Sequence, residues 1–154
     1  MTAAPVPAVA EQPAAVLVPE PRPVVSPGPT AKAVMVVEDD ASIREMLTRS
    51  LGQDYSVYEA TDGHSALEML ARIKPPPDLL ILDVMMPKMD GLQLASQLKA
   101  DTRLRTVPII FLTGRDSHRD VIQGINLGAR HYVTKPFKIP DLLAKVAKAL
   151  GAKK

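Results

Sequence analysis

The chain has 154 residues, with 19 lysines and arginines against 17 aspartates and glutamates, so its formal net charge is only +2. This length is typical of one domain, and the charge balance argues against a protein that binds nucleic acid directly. Cysteine is absent, which excludes disulfides, a thiol nucleophile and cysteine-ligated zinc. No apolar run reaches the roughly 20 residues that span a bilayer. We therefore expect a cytoplasmic protein with no membrane partner.

Residues 1–30 differ in composition from the rest of the chain. They hold 8 of the 15 prolines, and proline fixes φ and removes a backbone donor, so no helix or central strand can continue through them. We expect residues 1–30 to form a disordered or polyproline-II tail that contributes nothing to folding. A folded domain is expected over residues 31–152. The tail is interpreted either as inert or as a tether or docking segment.

From residue 31 onwards, apolar runs of strand length alternate with amphipathic segments of helix length. The runs and segments predict strands at 33–37, 56–59, 78–83, 107–112 and 130–133, and helices at 42–51, 63–73, 91–99, 117–127 and 139–150. Strict alternation predicts parallel strands with right-handed crossovers. The predicted fold class is therefore α/β, a flavodoxin-like doubly wound fold. Its five-stranded parallel sheet has the order 2-1-3-4-5, with five helices on both faces.

Polar side chains stand where four of these strands end. Glu38 and Asp39 follow the first strand, Asp83 ends the third, Thr113 follows the fourth, and Lys135 comes just after the fifth. An acid after a strand is common as a helix cap, so no single residue is informative. In an open α/β sheet, however, ligands bind outside the carboxyl ends of the strands. The joint placement predicts a site at this rim.

The residue types of the rim indicate its chemistry. Clustered carboxylates repel one another, so some are protonated or a hard cation binds between them. Oxygen ligands without cysteine or a nearby histidine favour Mg²⁺ over zinc. A carboxylate beside Mg²⁺, an ammonium and a hydroxyl suits phosphoryl transfer onto oxygen. His64, His118 and His131 lie on different predicted elements and are interpreted as surface residues, so no phosphodonor histidine is predicted.

Four stretches carry a family resemblance. They are VVEDD at 36–40, LDVMMPKMDG at 82–91, FLTG at 111–114 and YVTKPF at 132–137. Together they resemble the receiver domain of two-component response regulators, over about residues 32–150. A flavodoxin-type flavin binder shares the topology, but the acids at 38–40 would repel a flavin phosphate. A haloacid-dehalogenase-type phosphatase needs an aspartate two residues after its nucleophile, where this chain has Met85.

The resemblance implies a phosphoacceptor and a metal site. Asp83 would receive phosphate from a phosphohistidine on a sensor histidine kinase or a phosphotransfer protein. Asp39 and Asp83 would bind Mg²⁺ directly, Glu38 would act through water, and Met85 would contribute its backbone carbonyl. Such a domain is not an enzyme, since it assists only its own phosphotransfer and dephosphorylation.

The resemblance also implies a switch. Thr113 and Lys135 would bind the phosphoryl group, and Tyr132 would be the aromatic switch residue, although a half-buried core aromatic is its default interpretation. Pro136 is expected after a cis peptide bond. Asp40 occupies a variable position and is interpreted as a cap or a surface charge.

The resemblance, together with the short segment after residue 150, leads to a functional prediction. Only Gly-Ala-Lys-Lys follows residue 150, so we expect a single-domain response regulator with no output domain. Phosphorylation would switch the binding of an unknown downstream protein through a face formed by the fourth predicted helix, the fifth strand and the fifth helix. The alternatives are a phosphorelay intermediate and a receiver-fold binding module that works without phosphorylation.

Overall fold

A computed structural model describes residues 21–86, 88–114 and 129–151. Within these ranges the elements in chain order are β1 (Ala33–Val37), α1 (Ala41–Leu51), β2 (Ser56–Ala60), α2 (Gly63–Leu70), β3 (Leu79–Asp83), α3 (Gly91–Lys99), β4 (Ile109–Thr113), β5 (Ala129–Thr134) and α4 (Ile139–Ala149). The helix predicted at 117–127 and the first twenty residues of the predicted tail lie outside the described residues. No helix in the described part of the chain is long and apolar enough to cross a membrane.

The five strands form one sheet in the order β2-β1-β3-β4-β5, and every neighbouring pair is parallel. The predicted fold class and strand order are therefore confirmed, with four of the five predicted helices inside the described ranges. A strand that is covered on both faces is apolar along nearly its whole length, which explains the sequences of β1, β3 and β4. Alternate side chains of these strands enter two apolar clusters, one with α2 and α3 and one with α1 and α4.

The second predicted helix ends earlier than expected. The apolar periodicity predicts a helix over 63–73, ended by the three prolines at 75–77, but α2 stops at Leu70. The guanidinium of Arg103 donates hydrogen bonds to the carbonyls of Leu70 and Ile73, the latter at 3.0 Å. A distant side chain therefore satisfies the carbonyls after α2. The apolar periodicity could not show that contact, so it extended the helix by one turn.

The structure also differs from the expected boundary at residue 30. The N–H of Val24 donates to the carbonyl of Val57 at 2.7 Å, and the N–H of Val57 donates to the carbonyl of Val25 at 2.9 Å. The hydroxyls of Ser26 and Ser56 lie 2.7 Å apart. Residues 24–26, here called the N-terminal strap, thus pair antiparallel with β2 and cover part of its outer edge.

Candidate functional site

The loop after β1 is held by hydrogen bonds to two neighbouring elements, β2 and α1. The backbone N–H of Glu38 donates to the carbonyl of Ala60 at 3.1 Å, and the carbonyl of Glu38 accepts from Arg44 at 2.8 Å. Asp40 accepts from the N–H of Ile43 at 3.0 Å and is the N-cap of α1. The interpretation of Asp40 as a cap is confirmed. The loop therefore presents Glu38 and Asp39 at the sheet rim immediately before a helix.

The end of β3 is shaped by a close approach of α3. A Cβ atom on Gly91 would lie 2.4 Å from the carbonyl oxygen of Asp83, so only glycine fits there. Asp90 caps α3 by accepting from the N–H of Gln93 at 2.8 Å, and the Gln93 side chain accepts from the N–H of Asp90. The Asp-Gly pair therefore seats α3 against Asp83. The polar residues at the strand ends do not indicate this role of Gly91; the Asp-Gly pair at 90–91 is the sequence signal for it.

The structure brings the predicted acidic residues together. Glu38, Asp39 and Asp83 each place a carboxylate oxygen within 4.8 Å of the others. Glu38 and Asp83 are buried and Asp39 is exposed. The Nζ of Lys135 lies 3.1 Å from Glu38 Oε1 and 3.2 Å from Asp83 Oδ2. One ammonium therefore bridges two buried carboxylates, and the cluster keeps an excess of negative charge.

Thr113 and Met85 complete the rim. Thr113 is buried at the end of β4, and its carbonyl accepts from the N–H of Lys135 at 2.7 Å. The N–H of Met85 donates to Asp83 Oδ1 at 3.1 Å, whereas the Met85 side chain is exposed. Glu38, Asp39, Lys135 and the N–H of Met85 thus lie around the carboxylate of Asp83, and Thr113 ends the neighbouring strand β4.

Burial changes the acidity of these groups. It raises the pKa of Glu38 to about 7, and the neighbouring carboxyl of Asp83 pushes in the same direction. Burial also raises the pKa of Asp83, against the opposing effects of its contacts with Glu38 and Lys135. Desolvation alone would lower the pKa of Lys135, but its contacts with the two carboxylates hold it above the ordinary value. A carboxylate pair of this kind favours either a shared proton or a bound cation.

The residues present fit a magnesium ion. All three clustered side chains offer oxygen, the donor that Mg²⁺ prefers. Glu38 Oε1 is buried and lies near Lys135, yet it has no hydrogen bond of acceptable geometry. A buried acceptor without such a bond is costly unless another group completes it. The cluster therefore suits the binding of a hard cation.

Tyr132 and Pro136 flank Lys135 in the sequence, Tyr132 on β5 and Pro136 directly after the lysine. Tyr132 is half-buried, and its ring stacks on that of Phe111 with centroids 6.0 Å apart and planes at 22°. The carbonyl of Tyr132 accepts from Lys145 of α4 at 2.9 Å. The expected cis peptide bond between Lys135 and Pro136 is confirmed. The ring environment agrees with the default interpretation of a half-buried aromatic, and the switch role of Tyr132 stays a prediction.

Comparison with known proteins identifies the family. Residues 34–147 match the family model described as response regulator receiver domain, and the chain belongs to this family. The response regulator MprA of Mycobacterium leprae is 46% identical over 114 residues, which are 73% of this chain and 48% of that protein. MprA of Mycobacterium avium is 45% identical over the same shares. The chain spans about half the length of the curated relatives it matches.

Solved structures agree with the assignment. The chemotaxis protein CheY4 of Vibrio cholerae is 30% identical with a TM-score of 0.73, over 78% of this chain and 99% of that one. The receiver domain of a signal transduction histidine kinase from Syntrophus aciditrophicus is 36% identical with a TM-score of 0.71, over 79% and 91%. The chain is thus a two-component signalling domain of a family in which phosphorylation and Mg²⁺ binding are general features.

Proposed function

We propose that this protein accepts a phosphoryl group on Asp83 from a phosphohistidine of a sensor histidine kinase or phosphotransfer protein. The observation that carries the proposal is the convergence of Glu38, Asp39 and Asp83 within 4.8 Å, with Lys135 bridging two of them. We propose that this phosphoryl transfer takes place in the cytoplasm. Asp83 stays covalently modified until the phosphoryl group is hydrolysed or returned to a histidine.

The transfer is a substitution at phosphorus. A carboxylate oxygen of Asp83 forms the new P–O bond, the P–N bond to the donor histidine breaks, and the histidine nitrogen keeps the electron pair. Oδ2 of Asp83 is held by Lys135 and Oδ1 by the N–H of Met85. Both contacts orient the carboxylate before the donor arrives, which lowers the entropic part of the barrier.

Mg²⁺ would be held by Asp39, Asp83 and the carbonyl of Met85, with Glu38 acting through water. When bound, the ion offsets the negative charge of the transferring group. Lys135, which follows β5, contributes a second positive charge. Thr113 offers a hydroxyl to a phosphoryl oxygen at the end of β4.

The proposed output is a change of shape at the surface of β5 and α4. The predicted face also includes the helix expected at 117–127, which lies outside the described residues. Thr113 and Lys135 are joined by a backbone hydrogen bond of 2.7 Å. A displacement of Thr113 toward the phosphoryl group therefore also moves the start of the segment after β5. Tyr132 packs beside Phe111 of β4, so its ring reorients when β4 shifts. A downstream protein, and not nucleic acid, is the proposed reader of this face.

The proposal is tested by intact mass measurement after incubation with a small phosphodonor and Mg²⁺. The wild-type protein should gain one phosphoryl group, and Asp83→Asn should gain none. Asp78→Asn is the matched control, because Asp78 lies at the opposite end of β3 and binds the N–H of Ala33. A folded wild-type protein that gains no mass would favour the phosphorylation-independent binding module. Transfer of the phosphoryl group onward from Asp83 to a histidine of a second phosphotransfer protein would favour the phosphorelay intermediate.

A further inference from the structure

Arg44 of α1 makes a contact that the family motifs do not include. Its guanidinium reaches back over the start of the helix, and one terminal nitrogen donates to the carbonyl of Glu38 at 2.8 Å. That carbonyl belongs to the peptide bond that joins Glu38 to Asp39. The Arg44 side chain is only 18% exposed, so the contact is largely shielded from water.

The guanidinium is itself held from a second direction. Its Nε lies 3.8 Å from Oε1 of Glu59 on β2, and the other oxygen of Glu59 accepts from the hydroxyl of Thr48 at 2.6 Å. Thr48 stands one helical turn after Arg44, so both face β2. Thr48, Glu59 and Arg44 thus form a continuous series of polar contacts. The series ends at the peptide group between Glu38 and Asp39.

Arginine is the residue that this position requires. Its planar guanidinium donates one nitrogen to the Glu38 carbonyl and holds another in ion-pair range of Glu59, and the compact ammonium of lysine cannot hold two nitrogens in these fixed directions. The charges of Arg44 and Glu59 offset each other. The connection therefore constrains the loop without adding net charge to the acidic cluster.

We infer that Arg44, supported by Glu59, is a positioning residue for the proposed magnesium site. By fixing the peptide between Glu38 and Asp39, it keeps both carboxylates directed at Asp83. The inference rests on the proposed function for the identity of the ion. Without Arg44, the loop would keep the hydrogen bond from the Glu38 N–H to Ala60 but lose its fixation at the next peptide group.

The test compares Arg44→Met with Arg49→Met. Arg49 lies on the same helix, but its side chain is 77% exposed and pairs with Glu45 at 3.3 Å. Two quantities are measured: the affinity for Mg²⁺ by calorimetric titration, and the exchange rate of the Asp40 amide in metal-free protein. That amide donates to Glu38 Oε2 at 3.1 Å, so its exchange reports the order of the loop without any ion.

Arg44→Met should weaken Mg²⁺ binding by about tenfold, as is usual for groups that orient metal ligands. It should also accelerate exchange of the Asp40 amide by about tenfold, the scale of one lost hydrogen bond. Arg49→Met should change neither quantity by more than about twofold. Glu59→Gln, which keeps the side-chain shape, should weaken Mg²⁺ binding by about twofold to fivefold.

The outcomes separate this inference from the proposed function. If Arg44→Met binds Mg²⁺ as the wild type does, even with a lowered melting temperature, Arg44 only stabilises the fold and the inference is overturned. If the wild type binds no Mg²⁺, both the inference and the proposed function fail. If Arg44→Met does not fold, Glu59→Gln decides, and an unchanged affinity in that folded variant overturns the inference.

Discussion

The carboxyl-end rim of the sheet and the outer edge of β2 are organised by different interactions. At the rim, Glu38, Asp83 and Lys135 meet through charged side chains within 3.2 Å. At the edge, the N-terminal strap is held by two backbone hydrogen bonds and a pair of serine hydroxyls. The rim can be recognised from residue types, whereas the edge depends on backbone pairing that many sequences could supply. Side-chain chemistry therefore marks function here, and backbone pairing marks stability.

The rim should show the largest effect, in metal binding. Asp39→Ala removes a carboxylate from the cluster, and the remaining charge is too small to dehydrate Mg²⁺ partly. We expect the affinity for Mg²⁺ to fall by well over tenfold in a calorimetric titration. Asp54→Ala, which removes an exposed carboxylate after α1, is the matched control and should bind as the wild type does. Equal affinities in the two variants would show that the ligands are wrongly assigned.

The same rim can be broken sterically at Gly91. Gly91→Ala places a Cβ atom 2.4 Å from the carbonyl oxygen of Asp83, so α3 or the end of β3 must shift. We expect the free energy of unfolding to fall by about 1–3 kcal/mol, as for other overpacked sites. Gly28→Ala is the control, because a Cβ there meets nothing within 4 Å. Urea unfolding curves measure the difference, and indistinguishable midpoints would show that the approach of α3 to Asp83 is looser than described.

The edge is tested by two deletions. Removal of residues 1–30 eliminates the strap, including two backbone hydrogen bonds worth about 1 kcal/mol each. We expect the melting temperature to fall by roughly 5–10 °C relative to the protein lacking only residues 1–20. The exposed edge of β2 should also make the shorter protein more prone to self-association. Equal melting temperatures would restore the original expectation that residues 1–30 contribute nothing to folding.

A helix cap between the two regions should show the smallest effect. Asp62 follows β2 and accepts from the N–H of Ser65 at 2.8 Å at the start of α2, and this hydrogen bond lowers the pKa of Asp62. Asp62→Ala should lower the free energy of unfolding by about 1 kcal/mol. A lowered pKa means that the contribution is complete above the unfolded value of 3.8 and is lost as the pH falls through the folded value. In thermal melts, the difference in melting temperature between the wild type and Asp62→Ala should therefore be smaller at pH 3 than at pH 7.

How far the sequence could predict the molecule follows from the same comparison. Strict alternation of apolar runs and amphipathic segments predicts the parallel sheet. The polar residues at the strand ends predict which side chains lie at the rim. The strap was missed because Pro23 and Pro27 flank the paired residues, and proline is compatible with an edge even though it excludes a central strand.

Contacts between distant residues were not predictable in the same way. Arg44 and Arg103 look like ordinary charged residues in the sequence, yet Arg44 donates to the carbonyl of Glu38 and Arg103 to those of Leu70 and Ile73. Gly52, the C-cap of α1, also leaves room for the strap, since a Cβ there would lie 2.4 Å from the Val25 side chain. Such roles depend on which surfaces meet after folding, and no local pattern encodes them.

The central claim is that the buried carboxylate of Asp83 is the phosphoacceptor of the rim. The most direct measurement is to phosphorylate the protein with a small phosphodonor and Mg²⁺, trap the acyl phosphate by borohydride reduction, and locate the reduced residue by peptide mass spectrometry. The account predicts a single reduced residue, Asp83. Reduction at Asp39 instead, or acid-labile phosphate on any of the three histidines, would contradict it.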